Sequence, residues 1–356
     1  LTFYRDSEYV YTPSSLKKAT CSHLFHVTIQ GMKNMRRIHI LSRFGVCSRA
    51  SNAAIGVKFY TALSAEWGIK MKKICIIGSI NMDMVIETAY PPVMGETVHG
   101  SGFKTVPGGK GANQAVAAAK LGNEVSFIGA VGKDAFGTQM IENLKNSGVN
   151  VSGIESFGTS GIAMIIVSGG DNTIILEGGA NMALDNSLID RHISLIEERD
   201  IVIFQLEIPS KTVLYAMKKA KELGKKVLLN PAPIATFDTE MLKYTDIFIP
   251  NQHEAGSILG MKIDDEASAR GACREFIDMG VDQTIITLGG DGCVYNMGTD
   301  IFTQPAFKVK AVDSTAAGDS FIGAFCAGLD SRGIKDAVRY ACAVSAVVVS
   351  RAGASS

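Results

Sequence analysis

Residues 311–321 read Ala-Val-Asp-Ser-Thr-Ala-Ala-Gly-Asp-Ser-Phe, a small-residue turn that predicts the start of a helix running from Gly318 to Leu329. The exposed N–H groups of such a turn and the positive end of the helix dipole together favour a bound anion. An acidic side chain beside a phosphate is unusual unless it takes part in the chemistry, which makes Asp319 a candidate general base. Taken alone, the segment is better explained by an Asp319 that merely stabilises the first turn of its helix.

A second small-residue turn lies earlier in the chain and also precedes a helix. Residues 106–115 read Val-Pro-Gly-Gly-Lys-Gly-Ala-Asn-Gln-Ala and lead into an Ala-rich stretch. Three glycines allow the backbone to approach a ligand closely, and Lys110 and Asn113 would direct polar groups towards it. The G-x-x-x-x-G-K-[ST] spacing of a P-loop is absent. By itself the segment leaves two interpretations, a ligand-binding turn or an ordinary Gly-rich turn before a helix.

Around these turns the chain alternates strands and helices, which predicts an α/β fold with a mostly parallel central sheet and helices on both faces. Two stretches, 84–106 and 161–176, instead show period-two patterns with Gly and Pro turns, and they predict antiparallel strands that form a small β-sheet lid. The strands expected in the central sheet are 74–77, 124–130, 200–206, 226–230, 246–249 and 284–288, and the helices between them are 135–146, 211–223 and 267–279.

The composition of the chain indicates a folded globular protein and argues against a nucleic-acid-binding one. The chain has 356 residues with 46% apolar and 20% charged side chains, which is typical of a folded globular protein. Residues 1–70 hold ten Lys/Arg against three Asp/Glu, whereas residues 71–356 hold twenty-five against thirty-two. The acidic body argues against nucleic acid as the main partner. We interpret residues 1–70 as an extension outside the α/β body, because a strand pattern starts directly after Met71-Lys72-Lys73.

The cysteines and the apolar runs bear on the compartment. The seven cysteines are scattered singly, so no C-x-x-C zinc or redox motif is present, and the pattern favours free thiols in the reducing cytoplasm. No run of about 18 uncharged apolar residues is present, so no membrane span is predicted.

Several motifs together resemble the ribokinase-like (PfkB-type) carbohydrate kinases. Besides the two turns, they are Gly78-Ser-Ile-Asn-Met-Asp83, Asn230-Pro-Ala-Pro233, Pro250-Asn-Gln-His-Glu-Ala255 and Thr287-Leu-Gly-Gly-Asp-Gly292, in order between Met71 and Gly353. The resemblance implies a ribokinase-like three-layer sandwich that transfers the γ-phosphoryl of ATP to a sugar hydroxyl, with ribose as the preferred acceptor. It also implies that Asp319 is the catalytic base and that the turn Ala316, Ala317 and Gly318 is the anion hole.

The resemblance assigns further residues to ligands. The residues implied for the sugar are Asn81, Asp83, Gly108, Gly109, Lys110, Asn113, Glu207 and Asp319, a set of amides and carboxylates that suits a polyol. The residues implied for ATP are Asn251, Thr287, Gly289, Gly292, Gly318 and Cys342, where Cys342 replaces a histidine common in the family. Mg²⁺ is expected near Asn251 and Glu254, and K⁺ near Asp313, Thr315, Val348, Arg351 and Gly353.

The same family pattern leaves alternatives and incomplete features. The acceptor could instead be deoxyribose, another sugar or a nucleoside, and two other classes are a non-catalytic sugar-binding regulator and a DNA-binding regulator fused to a kinase. The family's cation loop continues beyond Gly353 and a terminal helix follows, so the chain ending at Ser356 is expected to have a truncated C-terminal end. Exposed lid edges predict a homodimer joined through the lid.

Overall fold

The computed structural model describes residues 72–169, 171–329 and 333–351, and the backbone of two short strands near the N-terminus. These two strands, Thr2–Tyr4 and His26–Thr28, pair antiparallel with each other within a unit that spans Leu1–Ile55, and a second unit spans Gly56–Ser356. The rest of the expected extension 1–70 lies outside the described residues, as do Met71 and Gly353.

The strands of the described chain alternate with helices as predicted. In chain order the strands are β1 (Thr2–Tyr4), β2 (His26–Thr28), β3 (Lys73–Ile77), β4 (Asn81–Thr88), β5 (Gly100–Gly108), β6 (Glu124–Val131), β7 (Asn150–Ser156), β8 (Gly161–Ser168), β9 (Asp171–Glu177), β10 (Ile201–Phe204), β11 (Lys226–Leu229), β12 (Ile247–Phe248), β13 (Gln283–Thr287), β14 (Cys293–Met297) and β15 (Asp300–Gln304). The helices are α1 (Lys110–Lys120), α2 (Ala135–Asn146), α3 (Asn186–Arg191), α4 (Ile193–Glu197), α5 (Ser210–Glu222), α6 (Gln252–Leu259), α7 (Glu266–Asp278), α8 (Ala317–Gly328) and α9 (Ile334–Val349).

A nine-stranded central sheet has the order β15-β14-β13-β12-β11-β10-β3-β6-β7. The pairings from β13 through to β7 are parallel, and β14 and β15 add to the other edge antiparallel. Adjacent residues of β3 enter opposite cores: Ile74 and Ile76 pack in one, Cys75 and Ile77 in the other. Helices α1, α2, α8 and α9 contribute to the first core and α3–α7 to the second, which confirms the predicted three-layer sandwich.

A separate four-stranded sheet, in the order β5-β4-β8-β9, forms the predicted lid. The expectation that its strands are all antiparallel is wrong, because β4 and β8 pair parallel. The physical reason is topological: the chain returns through β6, α2 and β7 before it adds β8, so β8 enters the lid in the same direction as β4. Five apolar lid side chains are 46–61% exposed, namely Phe103, Met164, Ile174, Ile175 and Leu176.

The fold gathers the polar motifs at one edge of the central sheet. The segments that follow the carboxyl ends of β3, β10, β11, β12 and β13 contain Ser79, Glu207, Asn230, Asn251 and Leu288. In a parallel sheet these ends meet along one edge, which is where α/β proteins bind ligands. Within the described residues, no helix is both long enough and apolar enough to cross a membrane.

Candidate active site

The candidate base lies in the first turn of α8, directly after a left-handed residue. Ala316 caps this helix with φ of 57°, a conformation that the small side chain tolerates, and it offers no side chain to accept a first-turn N–H. The first N–H groups of a helix lack partners within it. The N–H of Ala317 donates to Ser314 O at 3.2 Å, so Gly318 and Asp319 are the first-turn residues available to an anion.

Asp319 is 9% exposed as a residue, and its carboxylate accepts hydrogen bonds from the second motif. Gln114 Nε2 donates to Oδ1 at 3.0 Å, and Asn113 Nδ2 donates to Oδ2 at 3.3 Å. The two motifs meet because α1 and α8 approach closely at Gly323, where a β-carbon would lie 2.8 Å from Ala117 Cβ. A glycine in α8 thus places the base against the Gly-rich turn.

Glu207 joins three segments of the site. Its Oε2 accepts hydrogen bonds from Ser79 Oγ at 2.5 Å, from the Lys110 main-chain N–H at 3.1 Å and from Asn81 Nδ2 at 3.4 Å. Ser79 and Asn81 follow β3, Lys110 opens α1, and Glu207 follows β10. One carboxylate therefore holds the start of the lid close to the start of α1.

The lid begins inside the site. Asn81 is the first residue of β4 and pairs with Gly108, and Asp83 pairs with Val106 of β5. Gly109 has φ of 91°, and a β-carbon there would lie 2.7 Å from Asn81 N, so this position requires glycine on both counts. The two strands meet so closely that the polar ends of Asn81 and Asp83 lie beside the Gly-rich turn.

The charges of the site perturb one another. Burial, together with the nearby Glu207 and Asp319, raises the pKa of Asp83 to about 7. Burial also raises the pKa of Asp319, opposed by Lys110 and by the hydrogen bonds from Gln114 and Asn113. Burial alone would lower the pKa of Lys110, but the carboxylates around it outweigh burial and the pKa is raised. The site therefore holds one ammonium group among several carboxylates, which suits a ligand whose hydroxyl groups donate hydrogen bonds to those carboxylates.

Four of the predicted nucleotide residues, Asn251, Thr287, Gly289 and Gly292, lie at the ends of β12 and β13 along the same sheet edge. Cys342 is instead buried within α9, where its Sγ lies 3.9 Å from Cys293 Sγ. Asn251 Oδ1 accepts from the N–H groups of His253 and Glu254 at 2.8 Å each, and the Asn251 N–H donates to Glu254 Oε2 at 2.8 Å, a capping box that opens α6. Burial raises the pKa of Glu254, opposed by that Asn251 N–H and by Lys110. Asn251 also bridges to Thr287, which leads into the turn of Gly289 and Gly292 with φ of 56° and 101°.

The predicted cation residues are joined at the end of α9. The Val349 carbonyl accepts from the N–H of Val312 at 2.7 Å and of Asp313 at 3.2 Å, and Asp313 Oδ1 accepts from the Thr315 N–H at 2.8 Å. Arg351 N donates to Val348 O at 3.0 Å, and Gly353 lies outside the described residues. The predicted Asp313, Thr315, Val348 and Arg351 thus come into one loop region.

Comparison with known proteins decides the family. The sequence model described as "pfkB family carbohydrate kinase" matches residues 71–356. The chain belongs to this family. A ribokinase of Lactococcus lactis subsp. lactis is 43% identical over 289 residues, which are 80% of this chain and 93% of the relative. A deoxyribokinase of Salmonella typhimurium is 38% identical over 256 residues, covering 71% of this chain and 84% of the relative.

A solved structure is also similar to this pfkB-family kinase. The Arabidopsis thaliana ribokinase complexed with ribose and ATP aligns with a TM-score of 0.74 at 30% identity, covering 80% of this chain and 94% of that one. These comparisons confirm the predicted family and its fold. They also confirm that the chain is a sugar kinase.

Sequence reasoning missed several polar residues of this pfkB-family site. Asn181 is buried, accepts from the Ile80 N–H at 2.9 Å, and donates to Ile80 O at 3.1 Å and to Asn81 Oδ1 at 2.7 Å. The sequence does contain a pattern that could have indicated Asn181, because Gly178-Gly179-Ala180-Asn181 is a Gly-rich turn directly after a lid strand. Gln114 and Asn230 belong to two of the family motifs, but the sequence assigned them no role. The only local indication for Gln205 is that it is a polar residue at the end of a buried strand.

Proposed function

We propose that this chain transfers the γ-phosphoryl of ATP to D-ribose and forms D-ribose 5-phosphate. The observation that carries the proposal is the buried Asp319 carboxylate, held beside an uncapped helix N-terminus and hydrogen-bonded by the Gly-rich turn. This geometry provides a base next to a place for the phosphoryl group. Similarity to named ribokinases supports ribose as the acceptor.

The proposed chemistry starts with the sugar hydroxyl. The hydroxyl donates its hydrogen bond to Asp319 Oδ2, because Oδ1 accepts the shorter bond, 3.0 Å from the buried Gln114 amide, whereas Oδ2 accepts only the 3.3 Å bond from Asn113. As the hydroxyl oxygen approaches phosphorus, its proton passes to that carboxylate, and such base assistance contributes roughly 10²–10⁴-fold. Burial raises the pKa of Asp319, which makes the carboxylate a better proton acceptor than an exposed one.

The transferring phosphoryl group needs positive charge and donors that are already in place. The first-turn N–H groups of Gly318 and Asp319 at the start of α8 supply donors, and the helix dipole favours the negative charge. The Lys110 ammonium group, which interacts electrostatically with Asp319, Glu207 and Glu254, supplies the positive charge near the catalytic base. Positioning and charge therefore come from the chain itself.

The sugar hydroxyls are assigned to the root of the lid. Asn81, Asp83 and Glu207 present carboxylate and amide groups, with Lys110 and Asn113 on α1. Gly108 and Gly109 leave room for the Asp83 carboxylate and for the Asn81 backbone, and so hold both residues beside the Gly-rich turn. Deoxyribose is the second candidate, because the deoxyribokinase of Salmonella typhimurium covers much of the chain. The two sugars differ by one hydroxyl, so the pocket's unpaired polar groups would decide between them.

Magnesium fits the residues around α6. Glu254 keeps one carboxylate oxygen beyond the one that accepts from Asn251, whereas Asn251 Oδ1 is already engaged by two N–H groups. In the described part of the chain no three acidic, His or Cys side chains form a metal cluster. Mg²⁺ commonly keeps several waters and binds through one or two carboxylates plus phosphates, and it would neutralise phosphate charge here. Glu254 would hold it.

Potassium fits the loop that joins Asp313 to the end of α9. The Asp313 carboxylate and the carbonyls of Thr315 and Val348 are oxygen ligands of the required kind, and Asp313 Oδ1 already orders Thr315. A cation there would shape the turn that precedes Gly318. The expected result is higher kcat in KCl than in NaCl at equal ionic strength, and equal rates in the two salts would exclude this site.

Three further proposals concern the oligomeric state, residues 1–70 and the compartment. The exposed apolar lid side chains support a homodimer joined through the lid, which light scattering at micromolar concentration would test, since a monomer would contradict it.

Residues 1–70 are proposed to be dispensable, so a chain beginning at Met71 should turn over like the full chain, and an insoluble or inactive product would refute this. The five described cysteines are free thiols, which supports a reducing, cytoplasmic compartment.

The deciding experiment measures ADP release from MgATP with a panel of ribose, deoxyribose, hexoses and nucleosides. We expect the highest kcat/KM for ribose, with NMR placing the phosphate on the 5-hydroxyl. A higher value for deoxyribose would select the second candidate. Release of ADP that no acceptor stimulates would overturn the proposed function.

A further inference from the structure

Gln114 is fully buried and its side chain donates a hydrogen bond to the candidate base, Asp319. Its Nε2 donates to Asp319 Oδ1 at 3.0 Å and to Asn230 Oδ1 at 3.2 Å, and its Oε1 accepts from Gln205 Nε2 at 2.6 Å. A primary amide has two N–H donors and one carbonyl acceptor. All of them are engaged, so the orientation of the Gln114 amide is determined by its neighbours.

These neighbours are themselves held in place. Asn230 follows β11, is buried, and donates from Nδ2 to Ile249 O at 2.9 Å. Gln205 follows β10, is fully buried, and packs so closely on Gly78 that a β-carbon there would lie 1.9 Å from Gln205 Oε1. Three amides from separate elements thus form a buried network that ends at one carboxylate oxygen.

The network gives the two oxygens of Asp319 different environments. Oδ1 accepts the shorter bond, from the fixed Gln114 amide, whereas Oδ2 accepts only the longer 3.3 Å bond from Asn113, which lies in the sugar set. A donor on Oδ1 stabilises the ionised carboxylate and prevents rotation about the Cβ–Cγ bond. Oδ2 is then the oxygen that remains for an incoming hydroxyl.

We propose that Gln114 is a positioning residue for phosphoryl transfer. Its amide holds the Asp319 carboxylate in one orientation and stabilises the ionised form, and the buried amides of Gln205 and Asn230 hold Gln114 in place. This inference rests on the proposed function, because it assumes that Asp319 accepts the sugar proton. It differs from a purely structural role, in which Gln114 would only satisfy buried polar groups. A structural role predicts lower stability, and a positioning role predicts lower kcat at unchanged sugar affinity.

The first test is Gln114→Met, which keeps the shape and removes the donor. We expect kcat to fall about 10–100-fold, as for small misplacements of a reacting group, while the calorimetric Kd for ribose changes less than threefold. The matched control is Gln283→Met. Gln283 is a second buried glutamine, and its Nε2 donates to Asn296 O at 2.6 Å rather than to Asp319. The control should lose stability and keep its kcat.

A second variant protects against failure to fold. Gln114→Met leaves Gln205 Nε2 without its acceptor, which is costly in a buried site. The double variant Gln114→Met/Gln205→Met replaces both amides by apolar groups. It should recover most of the lost Tm and keep the low kcat.

The pH profile gives a readout that packing alone would not move. The charged groups that face Asp319 are Lys110 on α1, Asp83 on β4, Glu207 after β10 and Glu254 on α6, and all of them remain in the variants. Loss of the Gln114 donor should move the acidic limb of kcat/KM to higher pH. A carbon-13 NMR titration of the Asp319 carboxyl should show the same direction, and it does not depend on which acceptor is phosphorylated.

The outcomes separate this inference from the proposed function. If the wild-type chain phosphorylates no acceptor in the panel, the proposed function fails, and the NMR titration still decides whether Gln114 sets the ionisation of Asp319. If the wild type is active and a folded Gln114 variant keeps kcat within threefold, the positioning role is wrong. It is equally wrong if Gln283→Met loses as much kcat at the same loss of Tm.

Discussion

The Asp83 carboxylate occupies the space that a β-carbon on Gly108 would need, since that atom would lie 2.3 Å from Asp83 Oδ2. Gly108→Ala should therefore displace Asp83 from the sugar site. We expect KM for ribose to rise tenfold or more, with a smaller change in kcat. Gly271→Ala is the matched control, because no atom lies within 4 Å of its added β-carbon. Unchanged KM in Gly108→Ala would show that Asp83 does not contact the sugar.

Asp83 also predicts a pH dependence of stability. Its pKa in the folded chain is about 7 against an ordinary 3.8, so the folded state binds more protons than the unfolded state between these values. Stability contributed by this group therefore falls as the pH rises through that window. Asp83→Asn should raise Tm relative to wild type by more at pH 8 than at pH 5, at about 2–4 °C for each kcal/mol. Thermal melts at both pH values test this, and equal differences would contradict the raised pKa.

Asp319→Asn separates catalysis from helix stabilisation. We expect kcat to fall roughly 10²–10⁴-fold with KM for ribose within about threefold, because the amide cannot accept the hydroxyl proton. Asp336→Asn is the matched control, since Asp336 is an exposed acid in the first turn of α9. It should keep full activity and lose only a little stability. A loss in Asp319→Asn smaller than tenfold, measured by the coupled assay, would rule out its role as the base.

The left-handed Ala316 makes opposite predictions for two neighbouring alanines. Ala316→Gly should raise or maintain Tm, because glycine adopts φ of 57° without the roughly 1 kcal/mol that a side chain costs there. Ala317→Gly, at the first residue of the helix, should lower Tm, because glycine loses more backbone freedom than alanine in a helical conformation. Differential scanning calorimetry on the pair tests this, and activity of Ala316→Gly should stay within threefold. A lower Tm for Ala316→Gly than for Ala317→Gly would argue against the left-handed turn.

The sequence predicted what local patterns specify. The strand–helix alternation predicted the sandwich, and the two small-residue turns predicted the starts of helices α1 and α8. Both succeed because a buried parallel strand needs a continuous apolar run and a close approach needs glycine. Three strands at or next to the edges of the central sheet, β7, β14 and β15, were missed, because β7 is half-exposed and rich in polar residues, and β14 buries Asn296.

Long-range polar partners lay beyond what local patterns can predict. The hydrogen bond from Gln205 to Gln114 joins residues separated by 91 positions, and that from Gln114 to Asp319 by 205. Neither has a periodicity or a composition that marks it. The parallel pairing of β4 with β8 was mispredicted for a related reason, since strand direction in the lid follows from the intervening elements of the central sheet.

Asn181 ties the root of the lid to the body through bonds to both main-chain groups of Ile80 and to the side chain of Asn81. A lid that opens must either break these bonds or pivot around them. A pivot leaves Asn81 where it is, while the outer parts of β5 and β9 swing away. Recognition and access would then be governed separately: the stationary root selects the sugar, and the moving rim sets how quickly it enters and leaves.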